Sequence, residues 1–149
     1  MMINLKGSSM KLAKLFGAVA LFASMVATAQ AGTLVTVKVK NSTAAIAVYT
    51  YEYFSGSVSL APGSIDASTT SSFILTSGAD TVSGMRFVYT SGTKKCRFAA
   101  SHTVNVSTKV PSFTKTGTSI GSTRATCSAN ITAVQTSLPY NYTVEFEIK

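Results

Sequence analysis

Few residues in this chain carry the chemistry that catalysis or metal binding demands, and they are thinly spread. Beyond Ala31 there is one histidine, His102, and five acids: Glu52, Asp66, Asp80, Glu145 and Glu147. A Ser-His-Asp arrangement can be drawn because serine is abundant, but no nucleophile-elbow or comparable motif surrounds any serine. His102 reads as an ordinary polar residue at the start of a strand. Glu145 and Glu147 share one strand face, where paired carboxylates can hold a hard cation weakly or exchange protons, and a solvated face is the plainer expectation. The sequence contains no metal-ligand spacing, glycine-rich phosphate loop or cofactor motif. It points to no enzyme, no cofactor and no metal.

What remains is covalent and binding chemistry. Cys96 and Cys127 are the only cysteines, and in an oxidising compartment an isolated pair reads as a disulfide, stabilising by roughly 3–4 kcal/mol on the chain-entropy model. Cys96 belongs to the stretch Ser83–Ala100, two alternating runs on either side of Ser91-Gly92. If Thr90 faces Thr93 across a tight turn, Met85 pairs with Phe98 and Phe87 with Cys96 on the core face. Arg86 then lies directly opposite Arg97, beside Lys95. Like charges so placed either splay into water or form an anion site, which makes Arg86, Lys95 and Arg97 candidates for contact with an anionic surface.

Two further candidate surfaces follow from spacing. Tyr49, Tyr51 and Tyr53 alternate along one strand face, either as cross-strand packing or as a platform on which a sugar ring stacks. The stretch 111–122 has no clear period and is loosened by Gly117 and Gly121. It reads as a flexible loop, with Phe113, Lys115 and Ile120 as contact residues or as groups tucked onto the domain.

The elements that position these residues begin after an export signal. Lys6, Lys11 and Lys14 form a basic region, Leu15–Ala27 an apolar region too short to span a bilayer, and Ala29-Gln30-Ala31 a cleavage site. Met10 is an alternative start. The leader looks bacterial, so the expected location is periplasmic or secreted. Cleavage after Ala31 leaves 149 − 31 = 118 residues, enough for one domain with a modest core. Net charge falls from +8 to 10 − 5 = +5. That balance favours anionic lipid, lipopolysaccharide or glycan, or another protein at the cell surface, as partner, and nothing resembles a nucleic-acid motif.

Period-two alternation runs through the mature chain. Val35, Val37 and Val39 alternate with Thr36, Lys38 and Lys40; Ala125, Cys127, Ala129 and Ile131 point inward; Tyr142, Val144, Phe146 and Ile148 do the same near the end. A strand is also expected over His102–Val110. The count is about eight or nine strands without a helix. An all-β fold follows, an antiparallel β-sandwich of Greek-key, immunoglobulin-like or jelly-roll-like form. Serine and threonine make up 38 of the 118 mature residues, as suits pleated, half-exposed strands. Asn41, Asn105, Asn130 and Asn141 each begin an Asn-x-Ser/Thr triplet, a glycan acceptor in eukaryotic secretion.

These features favour an exported, non-enzymatic binding module touching an anionic or glycan surface. The alternative is a structural subunit of a surface assembly. In architecture, an exported Thr-rich sandwich with one disulfide and a strand at its mature N-terminus resembles fimbrial subunits, whose first strand completes a neighbour. Here the last strand reads as complete, which favours a self-contained domain. A small inhibitor or membrane-active toxin fits the size alone.

Overall fold

The computed structural model describes residues 32–149, and the leader expected over 1–31 lies outside them. Nine strands follow in order: β1 (Leu34–Asn41), β2 (Val48–Phe54), β3 (Gly56–Ser59), β4 (Thr70–Ser77), β5 (Val82–Ser91), β6 (Lys94–Val104), β7 (Pro111–Ser119), β8 (Cys127–Val134) and β9 (Tyr142–Ile148). They form two sheets, ordered β3-β4-β1-β9-β8 and β2-β5-β6-β7. All pairings are antiparallel except β1 with β9. This is the expected all-β sandwich, closed by the expected Cys96–Cys127 disulfide between β6 of one sheet and β8 of the other.

The alternation read from sequence becomes the core. Val35, Val37 and Val39 of β1 are buried, as are Tyr142, Val144, Phe146 and Ile148 of β9. Facing them, Phe87 packs against Phe54, Phe73, Tyr89, Phe98 and Phe146 with ring centroids 5.4–6.1 Å apart, the tilted and edge-on geometry that aromatic rings prefer. Core residues come from Val35 through Ile148, so among the described residues both sheets contribute to one shared core. The chain changes sheets at Ser55, between β2 and β3. Ser55 N–H donates to the Gly84 carbonyl and its hydroxyl accepts from Gly84 N–H. Gly56 is required just after this crossing, because a Cβ there would overlap the Thr76 carbonyl.

Three expectations need correction. The β5–β6 hairpin turns at Gly92-Thr93, with Gly92 in the left-handed region at φ 59°. Ser91 is drawn into β5, where its buried hydroxyl bonds Thr43 Oγ1 at 2.6 Å and the Ala45 carbonyl at 3.2 Å. The register therefore slides by two: Phe87 pairs with Phe98, Val88 with Arg97 and Arg86 with Ala99. A slide of two preserves faces, so the core prediction survives while Arg86 and Arg97 cease to be directly opposed.

Second, the stretch read as a loop over 111–122 is largely β7, an edge strand on β6. It lacks an apolar alternation because its inward positions are Phe113, Lys115, Gly117 and Ser119, which pair with His102, Ala100, Phe98 and Cys96. Gly117 must be small, since a Cβ would overlap the Cys127 carbonyl of β8. Third, the strand expected over His102–Val110 does not exist as such. β6 continues unbroken to Val104, and Asn105 then caps a turn by accepting from Ser107 and Thr108 N–H at 2.9 and 3.0 Å.

His102 is thus not at a strand start but late in β6, facing inward and fully buried. Its Nε2 lies 3.2 Å from the Asp80 carbonyl oxygen, which can only accept, so this nitrogen carries the proton. Nδ1 then accepts from the Ser83 hydroxyl at 2.7 Å, and Ser83 in turn lies 3.1 Å from the Tyr142 hydroxyl. Thr33 Oγ1 joins this knot, donating to the Pro139 carbonyl at 2.7 Å. The start of the described chain, the β4–β5 and β8–β9 connections and the strands β5, β6 and β9 are tied together by it at one end of the sandwich.

Burial holds the His102 pKa below the usual histidine value, opposed in part by the Asp80 carbonyl and carboxylate. The unfolded chain takes up a proton near pH 6.5 that the folded chain refuses, so stability is full above that pH and falls as pH drops below it, by at most about 1.4 kcal/mol per pH unit. The urea midpoint is expected to decline from pH 7 to pH 5, and His102→Gln to flatten that decline while lowering the plateau. An equally steep decline in the variant would exclude His102 as its source.

Candidate functional site

The outer face of the β2-β5-β6-β7 sheet carries a trough of about 420 Å³, within the size range of small-ligand sites. Its residues come in cross-strand rows. Gly84 of β5, Ser101 of β6 and Thr114 of β7 form one row, and Arg86, Ala99 and Thr116 the next. Gly84 and Ala99 make a floor without bulk. The Ser101 and Thr114 hydroxyls are 2.7 Å apart, leaving their remaining hydrogen-bonding capacity toward solvent.

Tyr53 walls the trough on the β2 side, and a local irregularity puts it there. β2 pairs regularly with β5 through Tyr51, opposite Phe87, but the next paired residue is Tyr53, opposite Arg86. A bulge at Glu52 therefore turns the strand by one residue. The expected single face of Tyr49, Tyr51 and Tyr53 is broken. Tyr49 packs against Phe87 and Tyr89 on the core side, Tyr51 stays at the exposed sheet margin against Phe54, and Tyr53 crosses to the outer face. Its ring lies over Gly84, where a Cβ would come within 3.3 Å of Tyr53 Cε1.

The same bulge aims Glu52 between the two arginines. Arg97 Nε donates to Glu52 Oε1 at 3.0 Å, and Arg86 Nε approaches Oε2 at 2.7 Å without hydrogen-bond alignment. The anion position between Arg86 and Arg97 is thus filled from within the chain. One carboxylate against two guanidiniums leaves a net positive charge, and both arginines keep their outer nitrogens toward solvent, with side chains 58% and 46% exposed. Exposed pairs of this kind contribute little stability. Their effect here is to hold two mobile side chains in place.

The other candidates disperse. Lys95 follows Arg97 at strand spacing on the outer face, opposite Thr90, outside the trough. Phe113 turns inward, stacks on His102 at 5.7 Å and meets Tyr142 edge-on at 5.1 Å. Lys115 borders the trough but pairs with Ala100, and so projects to the side of the sheet opposite Thr114 and Thr116. Ile120 lies beyond β7, its N–H donating to the Lys95 carbonyl. Phe113, Lys115 and Ile120 therefore do not form one contact surface. Sequence reasoning missed Gly84, Ala99, Ser101, Thr114 and Glu52; no sequence signal marks a bulge at Glu52, so its meeting with Arg97, 45 residues away, was not readable.

Glu145 and Glu147 are not a cation pair. The parallel register of β1 and β9 sets Lys38 beside Glu145 and Lys40 beside Glu147, with contacts of 3.0 and 3.3 Å. A hydrogen bond from the Ser42 hydroxyl, helped by Lys40 and Lys149, holds the Glu147 carboxyl below the usual carboxylate range. Among the described residues no group of three His, Cys, Asp or Glu is arranged to hold a metal ion. Of the Asn-x-Ser/Thr sites, Asn41 is fully buried, with its amide bonded to the Ala45, Ile65 and Asp66 carbonyls.

If Glu52 partly neutralises the arginine pair, Glu52→Gln raises the local charge by one unit. Retention on a sulfated polysaccharide column is expected to strengthen, with elution moving to higher salt. Earlier elution would mean that Glu52 matters for holding the arginines more than for cancelling their charge.

No family model matches the chain, and no curated protein matches it in sequence.

Proposed function

We propose that this protein is an exported, non-enzymatic binding module whose outer-sheet trough takes an acidic glycan. The observation that carries this reading is the meeting, at one trough, of an open aromatic ring, two guanidiniums held by Glu52, and a floor of small and hydroxyl side chains. Tyr53, half exposed over Gly84, offers the apolar face on which a pyranose stacks. Ser101, Thr114 and Thr116 supply the hydroxyls that exchange hydrogen bonds with sugar hydroxyls. The outer nitrogens of Arg86 meet a carboxylate or sulfate in the paired geometry that guanidinium favours. The trough is open to solvent and shallow, which suits a binding role for an extended chain better than sequestration for chemistry.

Retention on a uronic or sulfated polysaccharide tests this. Arg86→Ala and Tyr53→Ala are each expected to weaken binding about ten-fold or more, with thermal midpoints within a few degrees of the parent because both side chains are exposed. Loss in Arg86→Ala with no effect in Tyr53→Ala would reduce the site to a simple charge contact. Unchanged retention in both would remove the trough from consideration.

A structural subunit of a surface assembly is the second reading, and β1 is the observation in its favour. A strand at the very start of the domain, inserted between β4 and β9, is one that a copy can donate to another by exchange. The solution mass of residues 32–149 separates the two readings. A monomer at all concentrations and salts favours the module, and polymers that persist in high salt favour the subunit.

A further inference from the structure

The outer face of the β3-β4-β1-β9-β8 sheet is ordered in columns of opposite charge. Lys38 and Lys40 stand in one column on β1, Glu145 and Glu147 in the next on β9, and each lysine lies level with its glutamate. All four side chains are partly exposed. The rows continue onto the flanking strands. Ser72, Lys38, Glu145 and Asn130 form one row across β4, β1, β9 and β8, and Ile74, Thr36, Thr143 and Ala133 form the next. Leu34 beside Thr76 bounds the face at one end, and Lys40 beside Thr70 at the other.

The half of this face away from the charges has relief. Beside the irregularity between Ile131 and Ala133 of β8 lies a hollow of about 250 Å³, lined by Leu34, Thr36, Ala133, Val134 and Thr143 among others. Its apolar lining is open to solvent at Leu34 and Val134. On the other flank of β1, Ile74 is an exposed apolar side chain set among Ser72, Thr76 and Thr36.

Charge columns and relief are complementary to themselves. A two-fold axis lying in the face, along the strands and between β1 and β9, exchanges β1 with β9 and β4 with β8. It lays Lys38 over Glu145 of a second copy, Lys40 over Glu147, and Ile74 over the hollow at Ala133, with every contact made twice. The strands of the two copies then run in one direction, as in aligned sheet packing. An axis across the strands would set β1 on β1 and lysine on lysine. The outer face of the other sheet lacks this property. It carries Arg86, Lys95 and Arg97 against Glu52, so two copies meeting there would bring cations together.

From this we infer that the outer face of the five-stranded sheet docks a second copy of this chain, in a two-fold dimer held by the Lys38–Lys40 and Glu145–Glu147 columns and by Ile74 seated in the facing hollow. Four strands about 4.8 Å apart and four rows about 6.8 Å apart outline roughly 500 Å² per copy, or about 1,000 Å² in all, the small end of specific interfaces. The dimer is therefore reversible. It closes after two copies, unlike the polymer that exchange of β1 would give. Where the trough on the other sheet takes a glycan, as proposed above, the dimer faces two troughs outward and bridges two chains.

Analytical ultracentrifugation of the purified, disulfide-bonded protein tests this. The parent is expected to show a monomer–dimer equilibrium with no larger species. Lys38→Glu/Lys40→Glu and Glu145→Lys/Glu147→Lys are each expected to weaken self-association at least about ten-fold, because like charges then oppose across the axis. Mixed in equal amounts, the two variants are expected to pair with each other at near-parental affinity, which also shows both to be folded. Ile74→Asn leaves the charges in place and is expected to weaken the dimer with a thermal midpoint within a few degrees of the parent. A parent that stays monomeric at the highest attainable concentration, or a dimer that none of these variants weakens, overturns the proposal. So do folded charge variants that fail to pair on mixing, and growth beyond two copies.

Discussion

The five-stranded sheet exists because β1 is in it. β3 and β4 lie on one side of β1, β9 and β8 on the other, and no other strand joins the two pairs. Val35, Val37 and Val39 give this strand a dry inner stripe. Its outer stripe places Lys38 and Lys40 beside Glu145 and Glu147 of β9. The parallel pairing is thus specified on both faces: hydrophobic burial selects which side points inward, and opposite charges select which residues lie alongside. A slip of one residue would expose the valines and bury the lysines.

The second sheet docks on this platform through aromatic packing around Phe87 and through the covalent tie from Cys96 to Cys127. Because both faces of the core are anchored, the outer face of the second sheet is free to be irregular. The bulge at Glu52 shows what that freedom permits. One extra residue moves Tyr53 to the outside and places a carboxylate between two arginines from neighbouring strands. The trough is a by-product of sheet geometry, assembled from four strands by pairing distance alone.

Polar groups are concentrated where the main chain leaves the sheets. Asn41 closes the β1–β2 connection with its own side chain, and His102 with Ser83 closes the other end. Buried polar groups of this kind specify one arrangement of the connections, since any other leaves donors or acceptors unpaired in a low-dielectric interior. The two ends of the molecule are therefore as well defined as its sheets.

The sequence by itself determined the strands whose two faces differ. β1, β8, β9 and the inward faces of β5 and β6 were legible because burial on one side and water on the other impose period two, and an isolated cysteine pair pointing inward implied the bridge. The edge strand β7 was not legible, because Gly117 must yield space to β8 and Lys115 reaches an open margin, so its inner face carries no apolar signature. The hairpin register escaped because a slide by two leaves every face unchanged. Only tertiary structure decided it, through the hydrogen bonds that draw Ser91 toward Thr43 and Ala45. The same holds for the site: Arg86 and Arg97 were visible as charges, but their carboxylate partner, the crossing of Tyr53 and the burial of His102 depend on pairings between residues far apart in the chain, which no local period records.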